Sequence, residues 1–170
     1  MPLSSISKVY PLVNKKALCA AMSQSWLYMS LFKGEPEVNP HIVTSASNMQ
    51  ALKDRGNLGG ASIDALNRNH FFPRLLLDRK NRPFNECFHQ MLTIPIAMRG
   101  FYVTIKFNGG AHAMAGFKTP YLYYFFEPDS GLYAVNMSYS GAESLAALMD
   151  KAGLGRNCKE FKLYGVVRNG

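Results

Sequence analysis

The 170-residue sequence is poor in cysteine, in acidic residues and in long apolar runs. It holds three cysteines, Cys19, Cys87 and Cys158, and no CxxC pair. Three thiols cannot all pair within one chain, which argues against a disulfide scaffold and for a reducing working compartment. Cys87 and His89 form a lone CxH pair with no second pair to complete a zinc site. No metal and no cofactor is expected. No apolar run is long enough to span a bilayer, so stable membrane insertion is not expected. The opening "MPLSSISKVYPLV" lacks the apolar stretch of a cleavable secretory signal, which leaves export by another route open.

The shortage of acid is the other side of a net charge of +8 and a pI near 9.5, with 19 Lys and Arg against 11 Asp and Glu. Such a balance suits an anionic partner. The basic residues are scattered, however. The densest group, Arg74, Arg79, Lys80 and Arg82, is interrupted by Leu75-Leu76-Leu77. No basic stripe with interleaved aromatics exists, which speaks against a dedicated nucleic-acid binder.

What is present is an ordinary globular composition, 48% apolar and 18% charged, at a length that suits one domain, residues 1–170. There is no internal repeat. The first part, residues 1–98, reads as helical. Over residues 17–32, Leu18, Met22, Trp26 and Met29 recur at helical spacing, and Gly34 and Pro36 close the segment. Residues 45–55 and 62–70 are further helix candidates. Residues 85–98 are ambiguous, because Pro95 would interrupt a helix. The second part, residues 99–170, reads as a sheet. "GFYVTIKFN", "AHAMAGFK", "YLYYFFE", "LYAVNMS" and "EFKLYGVVR" predict five antiparallel strands, and "AESLAALMDKAG" predicts a helix before the last. The class is α+β.

The chemistry starts at Cys19, in the first turn of the first helix. A free thiol, with a pKa of about 8.5, is only slightly ionised at neutral pH. A helix N-terminus presents unpaired N–H groups and the positive end of the peptide dipole, and both favour the thiolate. A cysteine that merely fills space has no need of that position, although most lone cysteines are fillers. A nucleophilic thiolate needs a base. Among His41, His70, His89 and His112, only His112 follows a Gly-Gly turn, opens a strand and sits among small residues, Ala111, Ala113 and Ala115. An imidazole base needs an orienting acceptor. "FFEPDSG" supplies Glu127 and Asp129 at the end of the next strand, beside the start of His112's own. Asp129 is also an ordinary turn residue.

"NKKALCAAMSQSWL", "HAMAGF" and "YYFFEPDSG" together resemble the YopT/AvrPphB-type effector cysteine proteases, which are papain-like thiol hydrolases. The matching residues are Cys19, Ser23 and Trp26 in the helix, His112 before a small apolar strand, and Phe125, Phe126, Pro128 and Gly131 of a pattern F-F-D-P-N-x-G. Glu127 stands where that pattern has aspartate, and Asp129 where it has asparagine. Either carboxylate can orient His112, and the alignment favours Glu127. The resemblance implies a papain-like fold, with N-terminal helices packed on a C-terminal sheet of about five strands. It implies a Cys19–His112–Glu127 triad, with an oxyanion held by Asn14 and the Cys19 backbone N–H. Asn14 reads equally well as a helix-capping residue. It further implies a bacterial effector or toxin, delivered into the host cytosol, whose substrate is a host signalling protein such as a GTPase, a kinase or a ubiquitin-pathway enzyme. Proteolysis is the first expectation and glutamine deamidation the alternative, since both begin with thiolate attack on an amide carbon. A non-catalytic basic binding module is the remaining alternative.

Overall fold

The structure, a computed structural model, describes residues 6–11, 19–38, 71–82, 86–93, 99–107, 110–128, 131–151 and 158–168. Helix α1 spans Cys19–Lys33. Its end follows from Gly34, whose φ of 76° lets its N–H and that of Glu35 both reach the Ser30 carbonyl. Helices α2 (Glu86–Thr93) and α3 (Tyr139–Lys151) are shorter. The strands are β1 (Ile6–Pro11), β2 (Phe71–Lys80), β3 (Gly100–Phe107), β4 (Gly110–Lys118), β5 (Leu122–Glu127), β6 (Gly131–Asn136) and β7 (Cys158–Arg168).

The seven strands among the described residues join one antiparallel sheet in the order β1-β6-β5-β4-β3-β7-β2. Strands β3 to β6 form a meander, because only two or three residues join each to the next. The period-two alternation of β3 sorts its side chains between two layers. Phe101, Val103 and Ile105 join Phe88 and Met91 of α2 and Leu145 and Met149 of α3. Tyr102 points the other way, into a cluster with Met22, Trp26 and Leu27 of α1. The sheet thus lies between α1 on one face and α2 with α3 on the other.

Among the described residues the sheet has seven strands where about five are expected, and the division at residue 98 does not hold. Strands β1 and β2 fall in the part read as helical, yet they form the two edges of the sheet. Both carry residues that a central strand would reject. β1 ends on Pro11, and β2 contains Pro73 and four charges. An edge strand tolerates both, since one side of it makes no ladder. The ambiguous segment before Pro95 is helical as far as Thr93. The helix candidates at 45–55 and 62–70 lie outside the described residues.

One glycine in the sheet is there for space. A Cβ on Gly116 would lie 1.7 Å from the hydroxyl of Tyr123. The Tyr123 ring is wholly buried, and its hydroxyl donates to Met91 Sδ at 2.8 Å, so it has nowhere to move. Gly116→Ala is expected to cost about 1–3 kcal/mol through overpacking. Thermal unfolding reads this as a fall of roughly 2–4 °C for each kcal/mol.

Candidate active site

Cys19 is the first residue of α1, half-buried, and packs against the α1-side cluster. The first N–H groups of a helix have no acceptor within it, so this position offers donors to an anion. His112 and Glu127 come from neighbouring strands. Ala115 pairs with Phe126, so the antiparallel register brings Met114 opposite Glu127. His112 lies two residues from Met114 along β4, within side-chain reach of Glu127. The His112 Nε2 and Glu127 Oε1 are hydrogen-bonded, with the two residues only 7% and 3% exposed. The imidazole also hydrogen-bonds the Cys19 side chain. Since Nε2 is taken by Glu127, Nδ1 is the nitrogen left for the sulfur.

Burial pushes the His112 imidazolium down, as it does for any cation removed from water. The hydrogen bonds to Cys19 and Glu127, and the charges of both, overcome it and raise the pKa to about 10. At neutral pH the ring therefore carries its proton between two acceptors. A sulfur, an imidazolium and a carboxylate in one hydrogen-bonded chain can deliver a thiolate to an electrophile and a proton to its leaving group.

Helix α1 is fastened to the strands that carry the other two groups. Ser23 Oγ donates to the Ala113 carbonyl at 3.1 Å, beside His112. Trp26 stacks on Phe126, beside Glu127, with ring centroids 5.4 Å apart and planes 7° from parallel. Its indole N–H donates to the Glu37 carbonyl at 2.9 Å. Gln24 Nε2 donates to the Tyr102 hydroxyl at 3.1 Å. Burial drives the Tyr102 phenol far up; the Gln24 hydrogen bond opposes this, and the nearby charge of Cys19 adds to it. Tyr102 and Gln24 carry no sequence signal that marks them. Ser23 and Trp26 do, because with Cys19 they follow i, i+4, i+7 spacing on one helix face.

Trp26→Ala is expected to cost about 3–5 kcal/mol, the range for emptying a buried aromatic site. Trp26→Phe retains the stack and leaves the Glu37 carbonyl without its indole donor, for about 1–3 kcal/mol. Denaturant unfolding of the two variants separates the ring from its hydrogen bond.

The structure brings Cys19, His112 and Glu127 together. Asn14 and Asp129 lie outside the described residues, as do His41 and His70. His89 belongs to the α2–α3 layer. Its Nε2 lies 3.0 Å from Glu143 Oε1, and its ring centroid lies 4.9 Å from that of Tyr139. Among the described residues, no three His, Cys, Asp or Glu side chains gather as a metal site, and no helix is long and apolar enough to cross a membrane.

No protein-family model matches the sequence, and no curated protein matches it. Solved structures do match. The Pseudomonas avirulence protein AvrPphB superposes with a TM-score of 0.57 at 16% identity, over 94% of this chain and 95% of that one. The ubiquitin-specific protease encoded by a murine cytomegalovirus tegument protein, solved with a ubiquitin-based suicide substrate, gives 0.49 at 11% identity, over 96% of this chain and 87% of that one. The first likeness is a fold-level match along nearly the whole of both chains. The chain has the papain-like α+β fold that its motifs imply.

Proposed function

We propose that the protein is a papain-like thiol hydrolase that cuts a peptide bond in a host protein, with Cys19 as nucleophile, His112 as acid and base, and Glu127 as the group that orients the ring. One observation carries this reading: the imidazole of His112 is hydrogen-bonded to the side chains of Cys19 and Glu127 at once. The Cys19 sulfur attacks the amide carbon, and the carbonyl oxygen becomes an oxyanion. The Cys19 backbone N–H at the helix start is one donor to it, and Asn14 is the proposed second. His112 gives its Nδ1 proton to the leaving amine, and the C–N bond breaks to leave a thioester. The neutral ring then takes a proton from water, hydroxide attacks the thioester, and the acid product leaves as the thiolate–imidazolium pair re-forms. Glu127 keeps the ring's other nitrogen in register throughout.

The resemblance to effector proteases supports a host signalling protein as substrate and delivery into the host cytosol by a bacterium. The test is mass spectrometry of a eukaryotic cell lysate after treatment with the wild-type protein. Peptides with new termini are the expected result. A substrate left whole, with a glutamine converted to glutamate, would replace proteolysis by deamidation on the same three residues. A lysate unchanged in both respects, together with a Cys19 that alkylates like an ordinary thiol, would leave a binding module instead.

A further inference from the structure

We propose that Ser23 is a positioning residue, and that its hydrogen bond to the Ala113 carbonyl sets the separation of the Cys19 sulfur from the His112 ring. The inference rests on the thiol-hydrolase reading and concerns how its reactive pair is held.

Cys19 and Ser23 are one helical turn apart, so they share a face of α1. Their partners, His112 and Ala113, are consecutive on β4. Two rungs of one helix face thus meet two successive residues of one strand. The strand needs holding there. The pairing of β4 with β5 runs from Lys118 to Ala115 and stops. Beyond it, His112 and Ala113 keep their ladder only with Ile105 and Thr104 of β3. The hydroxyl of Ser23 bonds to the β4 backbone in this stretch, where the backbone of β5 no longer does.

The bond is also not the one a helical serine makes by default. Such a hydroxyl ordinarily turns back to the carbonyl four residues earlier. Ser30 and Ser144 both do so here, to Trp26 and Ser140 at 2.9 Å. The corresponding acceptor for Ser23 is the carbonyl of Cys19. Ser23 is wholly buried, and it reaches across to the sheet instead. A hydroxyl that bridges helix and strand at this point fixes the height of the helix tip over His112. A displacement of the order of 1 Å between reacting groups costs about 100-fold in rate.

The test needs no substrate. The rate at which iodoacetamide alkylates Cys19 is followed from pH 4 to pH 9 by mass spectrometry of the Cys19 peptide, for wild type, Ser23→Ala and Ser23→Thr. Wild type is expected to alkylate rapidly well below pH 8. In Ser23→Ala the acid limb is expected to move up by about one pH unit, which is roughly tenfold less thiolate at pH 6. Ser23→Thr retains the hydroxyl and is expected to restore the wild-type limb. Should the alanine variant fail to fold, Ser23→Cys, with a weaker donor of similar shape, is expected to show a smaller shift in the same direction. A Ser23→Ala profile identical to wild type, even with a lowered melting temperature, would make the bond structural only and end the proposal. Equal shifts in the alanine and threonine variants would assign the effect to packing and also overturn it. An ordinary-thiol profile in wild type itself would remove the reactive pair, and with it the hydrolase reading.

Discussion

Cys19→Ala is expected to abolish hydrolysis, with a loss of about 10⁴-fold or more, as removal of a covalent nucleophile does in other hydrolases. The size follows from the mechanism. Without sulfur there is no thioester, and water must attack the amide directly with only the oxyanion donors to help. Cys19 is half-buried at the tip of α1, and its replacement removes one sulfur from the margin of the α1-side cluster together with its hydrogen bond to the His112 ring, which keeps Glu127 as its partner. The melting temperature is expected to stay within a few degrees, since about 1 kcal/mol corresponds to roughly 2–4 °C at this chain length. His112→Ala is expected to lose a similar factor. The double variant is expected to be no worse than either single one, because two groups that act as one unit are lost together. A Cys19→Ala protein that still releases the same peptides from a lysate would refute the assignment. Additive losses in the double variant would show that the two groups act separately.

Much of the fold that positions these residues is legible along the chain, for a physical reason. Strands β3 to β7 and helix α3 are local patterns closed by Gly, Pro and Asp turns, and their period-two and helical spacings mark each of them to within a few residues. The neighbourhood of His112 and Glu127 is legible for the same reason, because consecutive strands of a meander are neighbours in space. The start of α1 at Cys19 also agrees with the spacing. Strands β1 and β2 are not legible, since an edge strand is free to carry proline and charge and so loses the alternation that betrays a central one. The contact between Cys19 and His112 is a different kind of fact. It joins a helix to a strand far along the chain, and no local period encodes it. In the sequence it rests only on the resemblance of three separated motifs. The structure adds the fastenings, Ser23 to Ala113 and Trp26 to Phe126. Tyr102 reads in the sequence as one more strand aromatic. The Gln24 amide bonded to its hydroxyl gives it a polar partner, visible only once the layers are packed.

Glu127→Gln is expected to move the proton of His112, and the direction follows from charge. In wild type the ring is raised from an ordinary 6.5 to about 10, with burial opposing the shift and the partners Cys19 and Glu127 producing it. The amide keeps the size of the side chain and an acceptor oxygen, but it removes the anion. An opposite charge at such range shifts a pKa by about 1–3 units, so the imidazolium is expected to give up its proton about 1–3 pH units lower in the variant. The alkaline limb of hydrolysis is expected to descend with it, since a ring without its proton cannot protonate the leaving amine. NMR of the His112 ring reads the same titration without a substrate. Stability follows the same sign. A cation whose folded pKa exceeds its unfolded one contributes fully below 6.5, and that contribution fades as pH rises through the window up to about 10. The part of the unfolding free energy owed to His112 is therefore expected to fall across that window in wild type, and to fall less and earlier in Glu127→Gln. If the His112 ring of the wild-type protein instead titrates near 6.5, Cys19 and Glu127 do not hold its proton, and the charged chain through the site is absent.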